Sequence, residues 1–234
     1  MSKFNLLGVG NNAKTIKGDG AEYLTAILYL APFKSLLKIN ICPMASVAQC
    51  GDACLYTAGR GAMSNVQAGR LRKTKIYRDN KLDFQNMLCE DIIKHKNYCI
   101  KRGIKPVVRL NGTSDIDFLK IISQFPEVQF YDYTKVYNRV TKELPENYHL
   151  TLSYSEANME YAENILAYAK KFNKNIAVVF RDKDNIPKTF KGLPVINGDA
   201  DDLRFLDPSD GPHIVALYAK GQAKKDTTGF VIDN

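Results

Sequence analysis

Short apolar runs recur along the chain and predict the strands of a sheet. The first run extends from Tyr23 to Leu30, is rich in β-branched and aromatic residues, and stops before Pro32. Similar runs follow at 107–110, 128–131, 149–153, 176–180 and 214–218. Their length and composition are typical of strands buried on both faces of a sheet.

Stretches with apolar residues at helical spacing separate several of these runs. They predict helices over 64–77, 82–102, 115–125 and 156–172. Strands that alternate with helices favour a parallel sheet with right-handed crossovers. We therefore predict an α/β fold that forms a partial or complete (β/α) barrel of mainly parallel strands, with an open doubly wound sheet as the alternative.

The length of 234 residues allows one α/β domain over 1–234. Within it we distinguish an N-terminal strand and cysteine loop (1–62), basic helices (63–105) and strand–helix repeats (106–234). The sequence has no apolar run long enough to span a bilayer and no secretory signal pattern. We therefore expect a cytoplasmic protein with no membrane partner.

Polar side chains follow the predicted strands where each strand gives way to a loop. In parallel α/β folds these carboxyl ends lie at one edge of the sheet, and ligands bind there. Capping of the loops is the simpler explanation for each residue taken singly. Taken together, they predict substrate or cofactor binding by Arg109, Asn111, Ser114, Tyr133, Ser153 and Arg181, and catalytic roles for Asp115, Lys135 and Glu156.

Three cysteines, Cys42, Cys50 and Cys54, lie within 13 residues, with seven and then three residues between them. Thiolates are soft ligands that suit iron–sulfur clusters and zinc. A structural zinc ion normally takes four protein ligands, and no second close cysteine pair accompanies this loop. We therefore predict a 4Fe–4S cluster with one iron open to another ligand, and we keep zinc as the alternative metal.

The remaining cysteines and histidines lie in apolar surroundings. Packing in the core is the simpler explanation for a thiol or imidazole on an apolar helix or strand. The acidic run from Asp199 to Asp202 is predicted to be a turn rather than a metal site. The side chains assigned to packing are Cys89, Cys99, His95, His149 and His213.

The net charge of +8 is concentrated in one segment. Residues 60–105 contain 12 Lys/Arg and 4 Asp/Glu, whereas the rest of the chain balances at 21 of each sign. Clustered cations can bind a phosphate backbone, and Tyr56 and Tyr77 could stack on bases. A solvated helix face is the alternative. The predicted nucleic-acid contacts are Arg60, Arg70, Arg72, Lys73, Lys75 and Arg78.

The cysteine segment CPMASVAQCGDACL, with VVRLNGTSDIDF, FPEVQFYDYTKV and NYHLTLSYSEAN, resembles the gene-product-88 type of phage proteins. The resemblance extends to the stretch NGDADDLRFLDPSDGPHIVALYAKG and so covers nearly the whole chain. Its layout, a three-cysteine loop before strand–helix units, is similar to that of radical S-adenosylmethionine enzymes, although those space their cysteines more closely. The resemblance implies a protein of the host cytoplasm and no particular activity.

Three functions remain open at this point. The first is a phage iron–sulfur enzyme, radical-S-adenosylmethionine-like, that acts on a nucleotide or nucleic-acid-related substrate, with S-adenosylmethionine as a candidate cofactor. The second is a nucleic-acid-binding protein in which the cysteine loop holds a structural metal. The third is a host-takeover or anti-defence protein that binds a host protein.

Overall fold

The computed structural model describes residues 4–10, 22–33 and 39–234. Its helices are α1 (Ser64–Asp79), α2 (Lys81–Ile100), α3 (Leu119–Ile122) and α4 (Met159–Phe172). Its strands are β1 (Leu7–Val9), β2 (Tyr23–Leu28), β3 (Lys105–Arg109), β4 (Gln129–Thr134), β5 (Tyr148–Ser153), β6 (Ile176–Phe180), β7 (Thr189–Phe190), β8 (Leu193–Asn197), β9 (Ile214–Tyr218) and β10 (Val231–Ile232).

The strands form one sheet in the order β1-β2-β3-β4-β5-β6-β9-β8-β7, and β10 pairs with β6. The β1–β2 and β7–β8 pairs are antiparallel, and all the other pairs are parallel. The predicted α/β class and mainly parallel sheet are therefore confirmed. The sheet is not closed into a barrel, so the prediction of a complete barrel is wrong. Short antiparallel strands occupy the two edges and leave no parallel partner for closure.

The strand order also advances without reversal from β2 to β6. A doubly wound sheet reverses direction at a switch point, so this part of the sheet does not follow the predicted alternative. Right-handed crossovers that all advance in one direction place their helices on one face of the sheet. The core agrees with this expectation, because residues of α2 and α4 pack with one set of alternating strand residues. Members of this core include Phe84, Leu88, Ile92, Val108, Phe130, Leu150, Leu152, Ile165, Ala169, Ile176 and Val178.

Side-chain hydrogen bonds shorten two of the predicted helices. The amide oxygen of Asn111 accepts the backbone N–H of Ile116, and the Asp117 carboxylate accepts that of Leu119. These bonds compete with helix formation, so only residues 119–122 of the predicted 115–125 helix are helical. The side chain of Asn158 accepts the N–H of Tyr161 and starts α4 three residues later than predicted. None of the helices in the described ranges is long and apolar enough to cross a bilayer.

The opposite face of the sheet carries buried polar and aromatic residues. Arg109, Tyr131 and Tyr133 lie on it, since alternate residues of a strand share a face. The segment that follows β8 covers this face, with the Phe205 ring 5.3 Å from the ring of Tyr23 and 6.0 Å from that of Tyr131. A polar layer is thus enclosed between the sheet and this segment.

The sheet splits between β5 and β6 near their carboxyl ends. Strand β5 pairs with β6 only at Leu152 and Ser153. Further along β6, the neighbouring strand is β10, and Val231 pairs with Val179 of β6. Phe230, immediately before β10, therefore lies beside the end of β5. This split positions the cavity described next.

Candidate functional site

A cavity of about 240 Å³ lies at the carboxyl ends of the parallel strands. The cysteine loop forms one wall, and the ends of β3, β4, β5, β6 and β9 form the others. All the predicted catalytic and binding residues line it except Glu156 and Arg181. The lining contains Cys42, Cys50, Cys54, Arg109, Asn111, Ser114, Asp115, Tyr133, Lys135 and Ser153.

Close packing positions the cysteine loop. Its alanines at 45, 48 and 53 are buried, and the N–H of Ala45 donates to the carbonyl of Cys42 (3.0 Å). A Cβ at Gly51 would lie 2.5 Å from the Phe33 ring, so the loop needs glycine there. Cys54 ends the loop, and its sulfur accepts the N–H of Tyr56 (3.4 Å) at the start of a short 3-10 helix. The packing and hydrogen bonds of the loop therefore define its conformation.

The thiols lie close enough to influence one another. Burial raises the pKa of Cys42 to about 12, and the charges of Cys54, Cys50 and Asp115 contribute to the rise. Burial also raises the pKa of Cys54, while Lys135 and Arg70 act in the opposite direction. The thiols of Cys42 and Cys54 are thus protonated at neutral pH, and a metal would have to displace their protons on binding.

In the described part of the chain, no group of three or more His, Cys, Asp or Glu side chains is arranged to hold a single metal ion. A single zinc ion requires its sulfur ligands to meet around one point. A four-iron cluster accepts a wider spacing, because each thiolate binds a different iron. The structure thus brings the three thiols to one cavity without arranging them around a single point.

Asp115 and Asn111 hold the loops rather than project freely into the cavity. The Asp115 carboxylate accepts bonds from Thr134 Oγ1 (2.8 Å), the backbone N–H of Lys135 (2.8 Å) and Arg139 Nη1 (2.7 Å). Asn111 bonds to Ser114, Ile116 and Asp132. The carboxylate predicted to act as an acid–base group is therefore engaged in positioning the end of β4.

Lys135 reaches into the cavity from the end of β4. Its Nζ donates to Ser153 Oγ (2.7 Å) and lies 5.0 Å from the centre of the Phe230 ring. In the described part of the chain it makes no ion pair with a carboxylate, in contrast to the other two cations of the lining. Of the cations that the structure describes in the lining, Lys135 is thus the one without an acidic side chain to neutralise its charge.

The acidic loop, residues 199–202, supplies cavity-lining residues that the sequence pattern assigned only to a turn. Asp202 accepts Arg109 Nη1 (2.8 Å) and the hydroxyls of Tyr131 (2.9 Å) and Tyr133 (3.2 Å). Asp199 accepts Lys220 Nζ (2.8 Å) and the N–H of Tyr218 (2.8 Å). Both aspartates line the cavity, and no local pattern in the sequence indicates their distant partners.

The same aspartate sets the charge state of Arg109. Burial lowers the pKa of this guanidinium, but the Asp202 carboxylate and the neighbouring tyrosines outweigh burial and keep the pKa above its usual value. Burial and the Asp202 charge raise the pKa values of Tyr131 and Tyr133. The enclosed polar layer thus consists of a charged Arg–Asp pair flanked by two neutral phenols.

Glu156 and Arg181 lie outside the cavity. Glu156 pairs with Lys191 (2.8 Å) and accepts the hydroxyl of Tyr154 (3.1 Å). Arg181 bonds to the carbonyls of Lys224 (2.8 Å) and Asp226 (2.5 Å) and to the Asp233 carboxylate, so it holds the segment around β10. These contacts differ from the predicted catalytic role of Glu156 and the predicted binding role of Arg181.

The predicted nucleic-acid contacts divide into two groups. Arg70 is 8% exposed, its guanidinium lies over the rings of Tyr29 (4.8 Å) and Tyr56 (5.3 Å), and Lys73 donates to the carbonyl of Leu6 (2.5 Å). Tyr77 packs against Phe84, with 5.2 Å between the ring centres. Of the predicted contacts, Arg70, Lys73 and Tyr77 therefore contact the protein itself. The exposed cations are Arg60, Arg72, Lys75 and Arg78.

The cysteines and histidines assigned to packing lie away from the cavity lining. Cys99 is buried, and Cys89 packs against the core at half exposure. His95 is buried and bonds to the carbonyl of Leu24 (3.0 Å). His149 has a buried Nε2 for which the described residues provide no partner. His213 bonds through Nδ1 to the carbonyl of Gly211, 3.0 Å away.

Among known proteins, the chain is similar to one family. A family model described as gene product 88 matches residues 5–234. No curated protein and no solved structure matches the chain.

Proposed function

The chain belongs to the gene product 88 family, a phage gene-product family, and we propose that it is an iron–sulfur enzyme whose active site is the cavity at the sheet edge. Cys42, Cys50 and Cys54 hold a 4Fe–4S cluster, and the substrate binds beside it. The observation that carries the proposal is that the three thiols line the same cavity as Arg109 and Lys135.

A four-iron cluster held by three thiolates leaves one iron open to a substrate or to a cofactor such as S-adenosylmethionine. The chain itself supplies positioning. Asp202 fixes the guanidinium of Arg109, and Asp115 fixes the backbone at Lys135. The buried, preorganised lining restricts water and orients whatever lies beside the cluster.

The radical-S-adenosylmethionine-like form of the proposal adds the cofactor and a nucleotide-related substrate. Its support is the shared layout of a cysteine loop at the carboxyl edge of a mainly parallel sheet. Binding of S-adenosylmethionine to the iron-loaded protein tests this finer form. Absence of binding would remove the cofactor while leaving the cluster proposal intact.

The test of the cluster is purification without oxygen, followed by iron and acid-labile sulfide analysis and a visible absorption spectrum. Wild type should contain about four irons per chain after reconstitution. Cys42→Ala, Cys50→Ala and Cys54→Ala should each lose most of the iron. Cys89→Ala is the matched control, because Cys89 lies on α2 outside the cavity lining. A colourless wild-type protein without iron or sulfide would overturn the proposal.

A further inference from the structure

The charges around the cavity are not balanced. Among the described residues three cations line it, and the acidic loop neutralises two of them, since Asp202 pairs with Arg109 and Asp199 pairs with Lys220. Asp115 also lines the cavity, but its ion-pair partner is Arg139. Lys135 thus remains without an acidic partner in the described residues. One positive charge is available to a ligand.

Hydrogen bonds hold both the backbone and the terminal amine of Lys135. Its backbone N–H donates to Asp115 (2.8 Å), and its Nζ donates to Ser153 Oγ (2.7 Å). An ammonium group has three N–H donors, so at least one more remains for a ligand. Ser153 Oγ accepts the lysine bond, and its own hydroxyl proton is free to point toward the same ligand.

The neighbouring part of the cavity is apolar. Val179, Leu217 and Phe230 line the cavity, and the Phe230 ring lies next to Lys135. Val179 of β6 pairs with Leu217 of β9 on one side and with Val231, the residue after Phe230, on the other. The whole cavity measures about 240 Å³, so an apolar body of about the size of one ring can fit against these side chains.

We infer that the cavity binds a small molecule with one anionic group, a carboxylate or a phosphate monoester, on Lys135 and Ser153, and with an apolar body against Val179, Leu217 and Phe230. Charge-assisted hydrogen bonds in a partly buried site give such a group a clear advantage over a neutral one. The inference rests on the proposed function only for the role of this molecule as the substrate.

Three one-ring probes test the inference: benzoate, phenyl phosphate and the neutral benzyl alcohol. Titration calorimetry at low ionic strength with the anaerobically purified protein should show at least one anionic probe binding about tenfold more tightly than the alcohol. The tighter of the two anions assigns the group as a carboxylate or a phosphate. Binding of both anions no better than the alcohol would overturn the inference.

Variants test whether the charge of Lys135 causes the preference for an anionic probe. Lys135→Met should abolish the preference for the anion, whereas Lys135→Arg should retain most of it and so shows that the fold survives substitution there. Lys170→Met, on the exposed face of α4, is the matched control and should leave the preference unchanged. A preference that persists in Lys135→Met would overturn the inference. Iron content is measured separately, so anion binding without a cluster would remove the proposed function alone.

Discussion

Arg109 and Asp202 lie 93 positions apart in the chain and form an ion pair of 2.8 Å whose side chains are 11% and 3% exposed. The pair joins β3 to the acidic loop and lies between the cavity and the covered face of the sheet. A buried charge that loses its partner is strongly destabilising, because nothing replaces its lost hydration.

Replacement of Asp202 should therefore be costly. Asp202→Asn leaves the Arg109 guanidinium buried and unpaired, so we expect the free energy of unfolding to fall by about 3–5 kcal/mol. Urea unfolding measures the loss. Asp184→Asn is the control, since Asp184 is 79% exposed and should cost no more than about 0.5 kcal/mol.

The pair should also show coupling. Arg109→Met combined with Asp202→Asn removes both charges, and we expect the double variant to lose less stability than the sum of the two single variants. If the stability losses of the two single variants simply add in the double variant, Arg109 and Asp202 do not neutralise each other in the folded protein.

His149 should make stability depend on pH. Burial, with the charges of Lys174 and Arg204, lowers its pKa from 6.5 to about 4. Between these pH values His149 is protonated in the unfolded chain but not in the folded chain. The stability that this imidazole contributes is therefore lost as the pH falls from about 6.5 toward 4. The cost of His149→Gln should shrink by about 2 kcal/mol between pH 7 and pH 5.

Urea unfolding at both pH values measures this change. Leu166→Ala, a non-titrating substitution on α4, is the control and should cost the same at both. An equal cost of His149→Gln at pH 7 and pH 5 would show that the imidazole titrates normally in the folded protein.

Replacement of two glycines by alanine should change the stability of the fold in opposite directions. At Gly198, before the acidic loop, a Cβ would lie 2.3 Å from Val215 Cγ1 and 2.9 Å from Leu217 Cδ2. Gly198→Ala should therefore destabilise the fold by about 1–3 kcal/mol through overpacking. Gly69 lies within α1 with no described atom near its Cβ position, so Gly69→Ala should stabilise by about 0.5–1 kcal/mol. Thermal unfolding distinguishes the two, and the same sign for both would be contrary to this packing.

Any binding of duplex DNA by the basic segment from Arg60 to Arg78 should reflect its exposed cations alone. Four exposed contacts predict a slope of about −3.6 in the logarithm of affinity against that of salt concentration, compared with about −5.4 for all six. Lys75→Gln should reduce the slope by about 0.9, whereas Lys73→Gln should not, because Lys73 faces the carbonyl of Leu6. Equal effects of the two substitutions, measured by a salt titration, would contradict the assignment of exposed and inward cations.

Much of the cavity could be predicted from sequence because parallel strands end at a common edge. Arg109, Lys135 and Ser153 follow or end apolar runs, and the geometry of a parallel sheet brings them together. Glu156 also follows such a run, but its backbone N–H donates to the carbonyl of Gly229, and the segment before β10 separates it from the cavity. A two-residue strand such as β10 is too short to leave a pattern in the sequence.

The acidic loop could not be assigned from sequence for a different reason. Asp199 and Asp202 have the local composition of a turn, and their roles depend on Lys220 and Arg109, which are distant in sequence. Hydrophobic periodicity reports local structure, so it carries no information on which cation a turn carboxylate reaches. Sequence alone left a barrel and an open sheet as alternatives, because strand–helix alternation is common to open and closed sheets.

The strand order has a consequence for the order of folding. Strands β3 to β6 pair with their nearest neighbours along the chain, so this part of the sheet can grow by short loop closures. The acidic loop must then close 93 residues back onto Arg109. We expect the contacts of Asp202 to form after the folding transition state, so that its replacement accelerates unfolding and hardly slows refolding. The contacts between the acidic loop and the sheet would be the last part of the site to assemble and the first to open.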